Sequence, residues 1–217
     1  ADFTTVVVAG DGQWAYMGGD RGKMAGAGSE RTKAGTPVPA VYRVKLPERT
    51  ETAVFFGDPA KAGNDSAHLA APSGLALDGR GHLLIADRDN NRVVVVAEKD
   101  GTFAGSFPVE KPEGLAAAPK SGAVYVLRGI GKGSAELVKF SDWKDPKILA
   151  KIPLGINTRE GASLALDVSA SPAVVWVGVD MDGYLCPSRC QGIDGLDGQA
   201  HLFRFRGEAT IPQKEEK

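Results

Sequence analysis

A chain of 217 residues with 42% apolar content can form one large all-β domain or two small ones. Its 26 Lys and Arg against 27 Asp and Glu leave a formal charge of -1, so overall charge advertises neither nucleic acid nor an anionic membrane as a partner. No apolar run approaches the ~20 residues of a membrane helix, no signal-like segment opens the chain, and 28 Gly with 13 Pro suit short strands and turns rather than long helices.

In chain order, the apolar pattern predicts four strands, then repeats the same grammar three times. The first unit offers strands at Val6–Ala9, Trp14–Met17, Val41–Leu46 and Thr52–Phe56, interrupted by a glycine-rich insertion from Gly18 to Ala40. The second runs through Gly74–Asp78, Leu83–Asp87, Arg92–Val96 and Thr102–Phe107. The third comprises Gly114–Ala118, Ala123–Leu127, Ala135–Phe140 and Lys147–Ile152. The fourth has Ser163–Asp167, Ala173–Asp180, His201–Arg206 and Glu208–Ile211, with an insertion from Asp182 to Ala200.

Each first strand is small and apolar on both sides, and each later strand alternates more clearly. That gradient fits four-stranded antiparallel sheets set radially about an axis, where the innermost strand is crowded and the outer ones meet solvent. The fold class expected is therefore all-β, a β-propeller with four visible blades spanning residues 4–57, 72–108, 112–153 and 163–213. Two eight-stranded sheets stacked as a sandwich are the competing architecture.

Residues Pro72, Gly74, Leu75, Ala76, Leu77, Asp78, Gly81, Ala86, Asp87, Asn90, Arg92 and Val93 spell P-x-G-hydrophobic-A-hydrophobic-D, then G, then A-D-x-x-N-x-R-hydrophobic. This run resembles the NHL-repeat family. The unit from Pro112 keeps Pro-x-Gly-Leu-Ala but has Ala118 in place of the Asp and lacks the D-x-x-N-x-R run, and the last unit keeps Leu-Ala-Leu-Asp167. The resemblance implies ring closure with six blades, so the four blades here are expected to be part of a longer six-bladed ring. Four alone would leave two blade faces uncovered, both expected to be apolar.

Function must come from loops on this scaffold. In a propeller the second-to-third-strand loops share one face with the linkers between blades, and both long insertions fall there. The first reading is a binding module that recognises a protein or glycan on that face. Asp87, Asn90 and Arg92 either line this face or hold their turn together through backbone hydrogen bonds and charge pairing. Ser73, Glu113 and Glu160 each stand just before a first strand, where carboxylates would reach a channel mouth. The resemblance to known propellers implies an alternative, a propeller enzyme of the metal-dependent lyase or lactonase-like hydrolase kind, whose ligands would converge on the central channel.

Cys186 and Cys190, as C-P-S-R-C, are read as a disulfide stapling the exposed loop, which implies an extracellular or periplasmic setting; two reduced thiols in a cytoplasmic protein are the alternative. Asp180, Asp182, Asp194 and Asp197 crowd the same region, a possible oxygen set for calcium that lacks the ordered spacing and closing Glu of a calcium loop; no cofactor is expected. The insertion GDRGKMAGAG does not match a phosphate-binding loop, since Lys23 precedes Met24. Arg21, Lys23, Arg31 and Lys33 come without stacking aromatics, so nucleic acid is not an expected partner. His68, His82 and His201 are too scattered to suggest a metal triad.

Overall fold

The computed structural model describes residues 5–18, 38–46, 52–129, 135–154, 162–168, 174–180 and 200–206. Among these, all extended structure falls into four antiparallel sheets. The first contains β1 (Thr5–Val8), β2 (Trp14–Gly18), β3 (Ala40–Lys45) and β4 (Thr52–Gly57), hydrogen-bonded in that order. The second contains β5 (Pro72–Leu77), β6 (His82–Asp87), β7 (Arg92–Ala97) and β8 (Phe103–Pro108), and the third β9 (Pro112–Ala117), β10 (Val124–Gly129), β11 (Ala135–Phe140) and β12 (Ile148–Pro153). In the fourth, β13 (Ala162–Asp167), β14 (Val174–Asp180) and β15 (Ala200–Arg206) pair in sequence. The fourth strand expected at Glu208–Ile211 lies outside the described residues, as do residues 19–37 of the first long insertion and 182–199 of the second.

The first strands pack in series, β1 on β5, β5 on β9 and β9 on β13. Four up-and-down sheets stacked through their first strands are propeller blades, and the described residues do not form two eight-stranded layers.

Small residues on the inner strands have a direct physical reason. A Cβ on Gly74 would stand 2.6 Å from the carbonyl oxygen of Glu113 and 3.0 Å from the Cα of Gly114, so β5 and β9 meet backbone to backbone. Gly101, at φ +78° in the turn between β7 and β8, brings its backbone so near the first blade that a Cβ would lie 2.5 Å from the Phe55 carbonyl oxygen.

Packing between blades supplies the core. Val7, Tyr16, Val41 and Phe56 of the first blade meet Leu75, Leu83, Ile85, Val94 and Val96 of the second. The opposite side of the second blade, through Ala76, Leu84, Val93, Val95 and Phe107, meets Leu115, Val124, Val126, Val138 and Phe140 of the third. Each fully buried aliphatic side chain of these layers contributes roughly 1.5–3 kcal/mol over an exposed one, which outweighs any single surface contact.

Polar staples cross the same joints. The Tyr16 hydroxyl donates to the Glu98 carbonyl at 3.0 Å, and Ser73 Oγ donates to the Pro112 carbonyl at 2.8 Å. From the turn between β5 and β6, Arg80 donates through Nε and Nη2 to the carbonyls of Pro119 and Lys120, each at 2.8 Å. Beside it, His82 Nδ1 lies 2.8 Å from Asp78 Oδ2, and the His82 ring meets Trp143 of the third blade edge-on.

Candidate functional site

The face shared by linkers and second-to-third-strand loops is built around one buried carboxylate. Asp87 ends β6 with no solvent exposure, and both its oxygens are engaged. Oδ1 accepts from the backbone N–H groups of Ala70 at 2.8 Å and Ala71 at 3.3 Å; Oδ2 accepts from Asn90 Nδ2 at 2.7 Å and Arg92 Nε at 2.9 Å. Asn90 Nδ2 also donates to the Gly63 carbonyl at 2.7 Å. The two remaining arms of Arg92 reach the carbonyls of Asn64 and His68, each at 2.7 Å.

This network clamps residues 63–71, the linker entering the second blade, onto the blade. Leu69 completes the clamp by inserting fully into the core between the first two blades. A short 3-10 turn at Arg88–Asn90 carries the chain from β6 to β7, and Asn91 closes it in the left-handed region at φ 52°. Asn91 then holds the next linker: its carbonyl accepts from Val109 N–H at 3.0 Å and its Oδ1 from Lys111 N–H at 2.9 Å. Asn tolerates that conformation and offers a short acceptor, which suits it to the junction.

Asp87, Asn90 and Arg92 are thus brought together, and what they grip is a linker. Glu113, two residues into β9, sits elsewhere on the face. Its Oε1 is 3.7 Å from Arg88 Nε, with Glu113 mostly buried at 15% exposure and Arg88 open at 47%. Nothing in the D-x-x-N-x-R run marks Arg88. It stands next to Asp87 at the joint with the following inner strand, and nothing but that position would have singled it out. In the third blade, where the D-x-x-N-x-R run is missing, Arg128 at the end of β10 pairs instead with Glu136 of β11 at 2.7 Å and lies 3.6 Å from Glu110.

Glu160, Asp182, Asp194, Asp197, Cys186 and Cys190 lie outside the described residues, and Asp180 is placed only as the last residue of β14, opposite Ala200. His68 Nδ1 lies 2.8 Å from Asp65 Oδ1; the Ala67 N–H and the His68 ring hold the Asp65 carboxyl below the usual carboxylate range. On the opposite face, burial pushes the Glu98 carboxyl up, with Asp11 and Asp78 adding to the shift.

The clamped segment is also where comparison with known proteins is most specific. Residues 69–96, from the buried Leu69 to the end of the Val93–Val96 run, match the family model described as NHL repeat. That segment is similar to an NHL repeat. No curated protein matched the sequence. Solved structures with a similar fold include a chain of a nidogen/laminin complex, with TM-score 0.53 and 16% identity, the match covering 80% of this chain and 55% of that one. The hydrazine synthase of Kuenenia stuttgartiensis gives TM-score 0.51 and 13% identity over 83% and 42% of the two chains. A luciferin-regenerating enzyme gives 0.53 and 13% over 93% and 60%. The chain thus spans about half the length of these structures, and at such identities the likeness is one of fold.

Proposed function

We propose that this NHL-repeat propeller region is a protein-binding module whose ligand contacts the linker face, with Arg88 as the principal charged contact. The observation that carries the reading is the contrast between Arg88 and its neighbours. Asp87, Asn90 and Arg92 spend their hydrogen bonds on the linker, which makes the face rigid before any ligand arrives. Arg88 is nearly half exposed, and at 3.7 Å its contact with Glu113 is looser than a hydrogen-bonded ion pair.

A planar guanidinium on a preorganised surface favours an acidic side chain or a chain-terminal carboxylate of a protein ligand, because the ordering cost of binding has been met in advance. One similar structure is of a nidogen/laminin complex, a protein–protein assembly, which supports this class of partner.

The test is selection from a displayed peptide library on the immobilised chain, followed by affinity measurement against Arg88→Glu. Acidic peptides whose affinity falls at least tenfold on charge reversal are the expected result. Binders indifferent to Arg88, or stoichiometric calcium or zinc in the purified protein together with hydrolysis of a lactone, would replace this reading with the enzyme one.

A further inference from the structure

The outermost strands β4, β8 and β12 each end their sheet, and β12 differs from the other two in what it shows at that edge. Ile148 and Leu149 are each 52% exposed, the only consecutive large apolar residues so open among the described residues. The equivalent places in β8 hold Phe103, which is half-buried, and the small Ala104.

A register shift between Lys139 and Phe140 makes Leu149 the extra residue of a β-bulge. Beyond it the pairing is regular, and its bonding pattern fixes which backbone groups face outward. The Leu154 N–H donates to the Ala135 carbonyl at 2.9 Å, so alternation along the antiparallel ladder puts Ile152 and Ala150 in bonded pairs with β11. The N–H and carbonyl of Lys151 therefore point away from the sheet. Pro153, which has no N–H, takes the next outward place and ends the free edge.

The surroundings of this edge are positive. Residues 139–151 hold four Lys and two Asp. Both acids already have basic neighbours, since Asp145 lies 2.8 Å from Lys147 Nζ and Asp142 lies 3.7 Å from Arg80 Nη1. Lys151 is exposed and shares with Ile148 the side of the sheet that carries Val138 and Phe140.

We propose that the outer edge of β12 is a docking site for an extended, acidic segment of a partner protein, added to the third blade as one more antiparallel or parallel strand. The outward N–H and carbonyl of Lys151 bond its backbone, Ile148 and Leu149 cover its apolar side chains, and its carboxylates meet the Lys151 ammonium. This edge is distinct from the linker face and does not use Arg88. A second copy of the chain fits less well. Two-fold pairing centred on the outward groups of Lys151 sets two Lys151 side chains directly opposite each other, and like charges so placed repel.

The experiment titrates three capped peptides against the 217-residue chain: one of alternating valine and glutamate, its lysine-for-glutamate counterpart, and a form of the first N-methylated at each central residue, which keeps the side chains and loses the backbone donors. The first peptide is expected to bind at least tenfold more tightly than the other two. Its affinity should fall at least tenfold in Lys151→Glu and in Ile148→Ser, and stay unchanged in Arg88→Glu. Amide hydrogen exchange at Lys151 should be faster than at Ile152 in the free chain and slow at least tenfold when the first peptide is bound. No binding, binding indifferent to N-methylation, or binding lost in Arg88→Glu overturns the proposal. Should Lys151→Glu not fold, the peptide comparison and the Lys151 exchange on the parent chain decide. Sedimentation showing a dimer that Ile148→Ser dissociates also overturns it, in favour of a second copy.

Discussion

Arg92 Nε sits 2.9 Å from Asp87 Oδ2, and the same guanidinium spends its other two arms on backbone carbonyls 24 and 28 residues upstream. The pair is therefore a tie between a blade and its linker. Removing the carboxylate in Asp87→Ala leaves Arg92 without its counter-charge and the Ala70 and Ala71 N–H groups without an acceptor. A loss of about 3–5 kcal/mol is expected, a melting point lower by on the order of 10 °C. Arg92→Lys keeps the charge but not the fork, so it should recover only part of that loss. Thermal unfolding followed by far-UV circular dichroism checks both, and a wild-type melting point for Asp87→Ala would contradict the clamp.

Two glycines at equivalent places in successive inner strands should respond differently to the same substitution. In Gly74→Ala the new methyl meets the Glu113 backbone at 2.6 Å, and a cost of about 1–3 kcal/mol is expected because backbone cannot yield as a side chain can. In Gly114→Ala it meets Leu127 and Leu164 side chains at 3.4 and 3.5 Å, ordinary contact distances, so the change should stay within about 1 kcal/mol of neutral. Equal losses in chemical denaturation would refute the close approach of β5 and β9.

Glu98 makes stability depend on pH in a direction opposite to most carboxylates. Burial, then Asp11 and Asp78, raise its pKa, so between the ordinary glutamate value and the raised one the folded chain holds a proton that the unfolded chain has released. Stability is thus full below the ordinary value and drains as pH rises through the raised one. Glu98 is only partly buried, and solvent screening keeps the effect below about 1 kcal/mol. Glu98→Gln should match the parent near pH 4 and exceed it near pH 7; melting points across that range decide it.

The loop cysteines supply a chemical prediction. If Cys186 and Cys190 form the short-range disulfide expected of them, an alkylating agent should add mass to the unfolded protein only after reduction. Labelling without reductant would point to free thiols and a reducing compartment.

Strand positions were readable because alternation is a local property. The Val93–Val96 run and the Leu-Ala-Leu strands announce themselves within six residues, and the structure moves their ends by only one or two, as with Pro72–Leu77 against the expected Gly74–Asp78. What the motif residues hold was not readable in the same way. Asp87, Asn90 and Arg92 look from their spacing as though they brace their own turn, whereas most of their partners lie between Gly63 and Ala71. Leu69 is equally silent in the sequence, since one large apolar residue in a linker carries no periodicity, yet it is fully buried. Contacts across blade joints, such as Ser73 with Pro112 and Arg80 with Pro119, depend on the rotation between repeats and leave no trace in either strand.

The cross-joint reach of Arg80 has a consequence for how the array comes apart. A string of repeats joined only by apolar layers can fray one unit at a time, with each joint melting on its own account. Arg80, rooted in one unit and bonded to the backbone of the next, ties the disorder of either to the other, so the two middle units are expected to unfold as one cooperative block. Between them lies the segment most resistant to proteases, and the first cuts should fall towards the outer units.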